Sequence, residues 1–179
     1  MAIPKDTVIP ASTGSFAKIQ EGNNRYRVLS DAVTGWEGWK DKKPFRHEGD
    51  VCKITAEQVD LTKDGKPNIN YFWAMVVWSH ADKRVQILEI TQKTIMNALV
   101  QLEQNVEDFG DLKNYDIIIN KSKVGDKTSY TVQGTPSKAL TQEQVEAHET
   151  SEADLSKLFK GDYPIKEAEA EAKPEDIPF

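Results

Sequence analysis

The stretch NYFWAMVVWSHADKRVQILEI, residues 70–90, sets the architecture. After Asn70 its first part is aromatic, β-branched or apolar throughout, the composition of an extended strand. The polar SHADKR (79–84) is a turn signal, and VQILEI (85–90) resumes the apolar run, so the two segments are expected to pair as a hairpin. Successive side chains of a strand point to opposite faces. One face then carries Tyr71, Trp73, Met75 and Val77, and the other Phe72, Ala74, Val76 and Trp78. Neither face is polar. One must fill an interior; the other either stacks planar groups or is covered by helical segments.

Outward from this hairpin the periodicity changes. TQKTIMNALVQLEQN (91–105) places Ile95, Leu99 and Leu102 at i, i+4 and i+7 with Met96 alongside, which predicts a helix with one buried face and Thr91 as its N-cap. YDIIIN (115–120) and TSYTVQ (128–133), joined by KSKVGDK, predict a second hairpin, and RYRVLSDAV (25–33) predicts an upstream strand. The order is strand, excursion, two strands, helix, two strands. That is a mainly β chain with the element order of an OB-fold, a five-stranded Greek-key barrel that commonly binds oligonucleotides; element order does not fix strand order, so other small β-barrels stay open. In the excursion (34–69), VCKITAEQVDL (51–61) alternates in part and KDGKP (63–67) is a turn signal, so an extra strand or hairpin is expected there.

Four regions follow. Residues 1–15 form a polar arm with no periodicity, and residues 16–140 the barrel domain. TQEQ (141–144) and SEAD (151–154) resemble capping boxes, predicting short helices over 142–149 and 152–159 within a 141–160 segment. Leu155, Leu158 and Phe159 are placed to dock that segment on the barrel. Residues 161–179, ending KEAEAEAKPEDIPF, have almost no large apolar groups and are expected to be a disordered acidic tail.

Charge follows the same division. Residues 141–179 hold 11 acidic and 4 basic side chains, leaving 18 acidic and 19 basic to residues 1–140. The formal net charge of -6 therefore belongs to the C-terminal part, and the barrel is free to carry a basic surface. No run approaches the ~18 apolar residues of a membrane helix, and the N-terminus has no apolar h-region of a secretory signal. A single cysteine, Cys52, makes no internal disulfide, and the expectation is a cytoplasmic, non-membrane protein.

Signatures of catalysis are missing: there is no phosphate-loop motif, no G-x-G-x-x-G and no H-E-x-x-H. His47 and Cys52 offer two of the four ligands zinc needs, so neither metal nor other cofactor is expected, and the chain is read as a non-enzyme. Features suited to unpaired nucleic acid are present instead. Bases offer flat faces and the backbone a line of phosphates, so a binder combines aromatic rings with cations. GWEGWKDKKPFRHE (35–48) intersperses Trp36, Trp39 and Phe45 with Lys40, Lys42, Lys43 and Arg46, and its glycines and proline argue for a loop. Burial of the tryptophans in a core is the competing reading. Arg25 and Arg27 share one face of the first strand, Tyr71 and Trp73 are stacking candidates, and Lys121, Lys123 and Lys127 form a smaller cluster with Tyr130.

Two resemblances join these residues. The terminal E-D-I-P-F is similar to the acidic tip of bacterial single-stranded DNA-binding proteins, which recruits replication, recombination and repair enzymes. Glu175, Asp176, Ile177, Pro178 and Phe179 would then be a handle for partner proteins, its apolar end taken by a small pocket and its carboxylates by basic residues. RYRVL, GWEGWK, FWAMVVW, VQILEI with its helix, and YDIIINKS resemble the single-stranded DNA-binding proteins of tailed bacteriophages over about residues 16–140. That resemblance implies an OB-fold, sequence-independent binding of single-stranded DNA and no catalysis. Some relatives in that broad group hold a structural zinc through cysteines and histidine; with one cysteine this chain departs from them, and no zinc is carried over. The alternative function is a DNA-mimic inhibitor whose acidic tail occupies the DNA site of another enzyme.

Overall fold

The structure, a computed structural model, describes residues 14–165. Residues 1–13 and 166–179, and with them most of the expected arm and the 175–179 tip, lie outside the described residues.

The long strand β4 (Ile69–Ser79) is the hub to which the rest is joined. On one edge it forms an antiparallel hairpin with β5 (Arg84–Ile90), from Ser79 opposite Arg84 to Trp73 opposite Ile90. Along its other edge two strands follow one another. β1 (Gly22–Val28) puts Val28 opposite Val77, and β2 (Val33–Lys40) puts Val33 opposite Ala74, so the chain spends more residues here than β4 does. The surplus loops out as a bulge. Leu29 N–H donates to the Val76 carbonyl, and Val76 N–H donates to the Ser30 hydroxyl, which stands in for a missing backbone acceptor. β1 and β2 are thus one strand, bent where it passes from one part of the sheet to the other.

From this bent strand the sheet extends both ways. β3 (Lys43–Glu48) pairs with β2, while β6 (Asp116–Val124) pairs with β1 and β7 (Lys127–Gly134) with β6. All these pairings are antiparallel, in the order β3-β2-β4-β1-β6-β7 with β5 on the far edge of β4. The fold is mainly β and the sheet is open: among the described residues β5 and β7 are not hydrogen-bonded. The free edge of β5 instead meets residues 15–17, with Ala17 N–H donating to Ile87 O and Ile87 N–H to Ser15 O.

Both faces of β4 are covered. Met75 and Val77 face a core with Leu88 and Ile90 of β5, Ile117 and Ile119 of β6, and Ile95, Met96 and Leu99 of the helix α1 (Lys93–Gln104). Phe72, Ala74, Val76 and Trp78 face a second core with Val85, Ile87, Leu155, Leu158 and Ile165. The second layer comes from α2 (Gln142–Ser151) and the 3-10 turn Leu155–Lys160, with Phe159 tilted against Phe72 at 6.1 Å. The face of Phe72, Ala74, Val76 and Trp78 is therefore covered by the C-terminal segment and is not a stacking platform.

Both hairpins and α1 fall where the periodicity predicts them; four local expectations are corrected. The 35–48 stretch is not a loop but the β2–β3 hairpin. Its glycines serve close packing: a Cβ at Gly35 would strike the His47 carbonyl, and one at Gly38 would lie 2.7 Å from the Phe45 ring. The turn is Asp41–Lys42, both in the left-handed region (φ 51 and 65), and Pro44 is tolerated because β3 is an edge strand. Conversely 51–61 is not a strand but an irregular return with a short turn at Ala56–Gln58, anchored by buried Ile54 and Val59. The N-cap of α1 is Gln92 rather than Thr91. Finally, TQEQ caps α2 through Thr141 and Gln144, but SEAD does not act as a box: Ser151 closes α2, and Asp154 caps the next turn.

Packing also runs past the expected domain edge. Asp154 N–H donates to Pro164 O at 2.8 Å and Ile165 is buried, so residues 161–165 belong with the fold rather than the tail. If the outer layer is part of the cooperative unit, Leu158→Ala should cost about 2–5 kcal/mol in denaturant unfolding. Gly35→Ala should cost roughly 1–3 kcal/mol, since the backbone carbonyl it meets has no room to move. A loss below about 0.5 kcal/mol for either, the range of ordinary surface changes, would contradict this packing.

Candidate nucleic-acid interface

The β2–β3 hairpin brings part of the expected constellation together. Trp36 lies opposite Tyr71, and their rings meet at 5.4 Å with a 53° tilt. Their edges converge on Asp50: Trp36 Nε1–H donates to its carbonyl (3.0 Å), and the Tyr71 and Thr34 hydroxyls to Oδ1 (3.0 and 3.2 Å). Both rings are half-buried, so their orientation is held while part of each ring meets solvent. Trp73 lies two residues on from Tyr71 along the same face, packed against the inner core. Phe45, also half-buried, stands edge-on to His47 at 6.1 Å. Trp39 does not join this group. Three residues apart on a strand means opposite faces, and its Nε1–H donates to Glu37 Oε1 at 2.8 Å.

The cations divide into free and committed. Lys42 and Lys43, at the hairpin tip, are exposed and form no ion pair with a described residue, while Lys40 lies 3.7 Å from Asp60 and is half exposed. Arg46 is sequestered. Its guanidinium lies 3.1 Å from Glu37 and 2.8 Å from Glu89, over the rings of Phe16 (5.8 Å) and Phe72 (5.7 Å). Arg27 is buried too, donating to the carbonyls of Lys113 and Lys138 and lying 3.6 Å from Asp116. Neither arginine faces solvent as a phosphate contact requires. Arg25 also pairs with Asp116 (2.8 Å) but is 45% exposed. One carboxylate between two guanidiniums leaves a net positive charge, and Arg25 is its outward end.

The β6–β7 hairpin holds the second cluster. Lys121 is opposite Tyr130 and both are half-buried, whereas Lys123 and Lys127 are exposed near the tip. Beside it in the sheet, since Gly22 pairs with Lys121, opens a cleft of about 450 Å³ whose lining includes Lys18, Arg25 and Arg84 against Asp82. Lys18 and Arg84 had no sequence signal beyond being basic, Arg84 as the end of the polar turn 79–84. Neither had Asp50, whose role depends on a return of the chain through the irregular 49–62 segment.

A third region has the opposite character. Between the bulge, the end of α1 and the residues before β6 lies a cleft of about 470 Å³, floored by Tyr71, Trp73, Met75 and Leu99 and edged by Asp31, Asp50, Glu103 and Asp111. Its one cation, Lys113, is held by Asp31 at 2.5 Å and lies 3.8 Å from Asp111; the Asp31 hydrogen bond is the main cause of its raised pKa. Carboxylates repel phosphate. A phosphate-bearing ligand at Trp36 would meet like charge on this side and the exposed Lys42 and Lys43 on the other.

No helix among the described residues is long and apolar enough to cross a membrane, and no group of three His, Cys, Asp or Glu side chains among them is placed to hold a metal. No protein-family model, curated protein or solved structure matches the chain.

Glu37, Arg46 and Glu89 place two carboxylates and one guanidinium in a largely buried site. Burial, followed by the neighbouring Glu37, pushes the Glu89 carboxyl up to about 8. The folded protein then holds a proton that the unfolded chain releases near 4.5. This contribution is complete below the unfolded value and is lost as pH rises toward about 8. In urea unfolding between pH 5 and 8, the wild type should lose stability relative to Glu89→Gln, by at most about 1.4 kcal/mol per pH unit. Parallel pH profiles for the two proteins would contradict the assignment.

Proposed function

We propose that the chain binds single-stranded DNA without regard to sequence, through two lysine-bearing hairpins and the aromatic rings near their roots, and that it is not an enzyme. The observation that carries this reading is where the free lysines lie. If the bent β1–β2 strand is taken as the first strand of an OB-fold, β4, β5, β6 and β7 are the second to fifth, with α1 between the third and fourth. The pairings first-to-second, second-to-third, first-to-fourth and fourth-to-fifth are all made; among the described residues only the closing pairing between β5 and β7 is missing. OB-folds bind oligonucleotides on the face of strands two and three and through the loops after the first and fourth strands. Here the outer face of β4 and β5 is covered, which leaves the two loops. They correspond to the β2–β3 hairpin with Lys40, Lys42 and Lys43 and the β6–β7 hairpin with Lys121, Lys123 and Lys127.

Each element has a physical task. With Tyr71 bracing Trp36, the rings of Trp36 and Phe45 offer surface to bases, at about 1–3 kcal/mol per stacked base and with no preference among them. Tyr130 does the same near the second hairpin, and Trp73 supports Tyr71 from within. The lysines and Arg25 neutralise phosphates and release counterions. The role implied by the resemblance is protection of unpaired strands in phage replication, recombination or repair inside a bacterial host, with residues 175–179 recruiting partner enzymes. Tethering such a partner raises its local concentration at the bound strand.

Tryptophan fluorescence during titration with poly(dT) at two salt concentrations tests the reading. Quenching that weakens with salt is expected; silence at both concentrations would favour the DNA-mimic alternative. Trp36→Ala should weaken binding by about 1–3 kcal/mol. Lys42→Ala with Lys43→Ala should flatten the slope of log affinity against log salt by about 0.7 for each phosphate that is no longer neutralised.

The tail supplies a separate outcome. Residues 166–179 hold five acidic and two basic side chains and would compete with DNA for the same cations. Their removal should tighten binding at low salt and change little at high salt. Equal affinities across the salt series would contradict competition by the tail.

A further inference from the structure

We propose that the acid-edged cleft between the β1–β2 bulge and α1 is a docking site for a basic segment of another protein, one that inserts a leucine- or phenylalanine-sized side chain and flanks it with lysine or arginine. The cleft has the volume of a small-ligand or anchor-residue site, about 470 Å³. Its floor of Tyr71, Trp73, Met75 and Leu99 offers apolar and aromatic contact to one inserted side chain. Its edge decides the rest. Asp31, Asp50, Glu103 and Asp111 face only Lys113, which Asp31 and Asp111 already hold, so the lining residues carry an excess of negative charge.

That excess selects among occupants. Nucleic acid is disfavoured because each phosphate would meet like charge at the edge. The chain's own 166–179 segment is acidic and disfavoured for the same reason. A wholly polar polyamine would match the edge but leave the aromatic floor without an apolar partner. A segment with one apolar anchor between cations matches both, and flanking guanidinium groups would pair with the exposed Asp31 and with Glu103. The site is separate from the 175–179 handle, which would seek the opposite chemistry, a basic-rimmed pocket on its partner. It does not depend on the DNA-binding proposal.

The test uses the full-length ¹⁵N-labelled protein and two synthetic peptides, Ac-RKLFRK-NH2 and the charge-reversed Ac-EDLFED-NH2. The basic peptide should give saturable NMR shifts at the Trp73 indole N–H and at the Leu99 and Val100 amides, weakening with salt, while the acidic peptide gives none. Asp31→Asn with Glu103→Gln, two exposed changes that leave the floor intact, should weaken the basic peptide about 10-fold, one factor of ten for ~1.4 kcal/mol. Oligo(dT) should leave the Trp73, Leu99 and Val100 signals in place. Four results would each overturn the proposal: no saturable shift with the basic peptide, equal shifts with both peptides, indifference to the double substitution, or displacement of the same signals by oligo(dT). Shifts at these residues that depend on protein concentration alone would overturn it too, assigning the cleft to a second copy.

Discussion

The strand Ile69–Ser79 has no polar face, and this constraint organises the molecule. A strand in water tolerates one apolar side, not two, so both must be covered before the sheet is stable. α1 and the strands of the inner core bury Met75 and Val77; α2, the turn Leu155–Lys160 and Ile165 bury Phe72, Ala74, Val76 and Trp78. The bulge at Ser30 follows from the same need, since it lets one continuous strand border β4 along its length and still diverge into separate parts of the sheet. Arg46 is drawn in as well. Lying over Phe16 and Phe72, between Glu37 and Glu89, it ties β3 to the edge where the N-terminal segment and the outer layer meet.

Covering both faces displaces function to the periphery. With the middle of the sheet closed, solvent-facing chemistry is left to the two hairpins and to the clefts at the margins of the inner core. These differ in sign. Lysines gather on the hairpins and, with Arg25 and Arg84, around one cleft; carboxylates edge the other. Both proposals, a nucleic acid at the hairpins and a basic segment at the acid-edged cleft, rest on this separation, and the near-neutral total of residues 1–140 conceals it.

How much of this was legible in the sequence depended on whether the decisive contacts were local. The β4–β5 and β6–β7 hairpins and α1 carry clear periods of 2 or 3.6, and their positions follow from them. The β2–β3 hairpin did not announce itself, because Gly35 and Gly38 read as breakers when their purpose is to admit a carbonyl and an aromatic ring at close range. Once that stretch is a strand, the three-residue spacing of Trp36 and Trp39 sends them to opposite faces, and only Trp36 joins Tyr71. The sequestration of Arg27 and Arg46 was illegible for another reason. Their partners Asp116 and Glu89 are distant in sequence, and an arginine in a strand looks the same whether its charge is spent inside or offered outside. The choice between the faces of β4 had no local signal at all, being settled by a C-terminal segment about 80 residues downstream.

The central claim is that unpaired strands are held at the two hairpins and not on the covered outer face of β4 and β5. Photocross-linking of the full-length protein to a 5-bromouracil-substituted oligo(dT), with peptide mapping of the adducts, addresses it most directly. Adducts at Trp36, Phe45 or Tyr130 that disappear at high salt are the predicted result. Adducts confined to Phe72, Trp78 or the 142–165 layer, or none from a saturated complex, would contradict it.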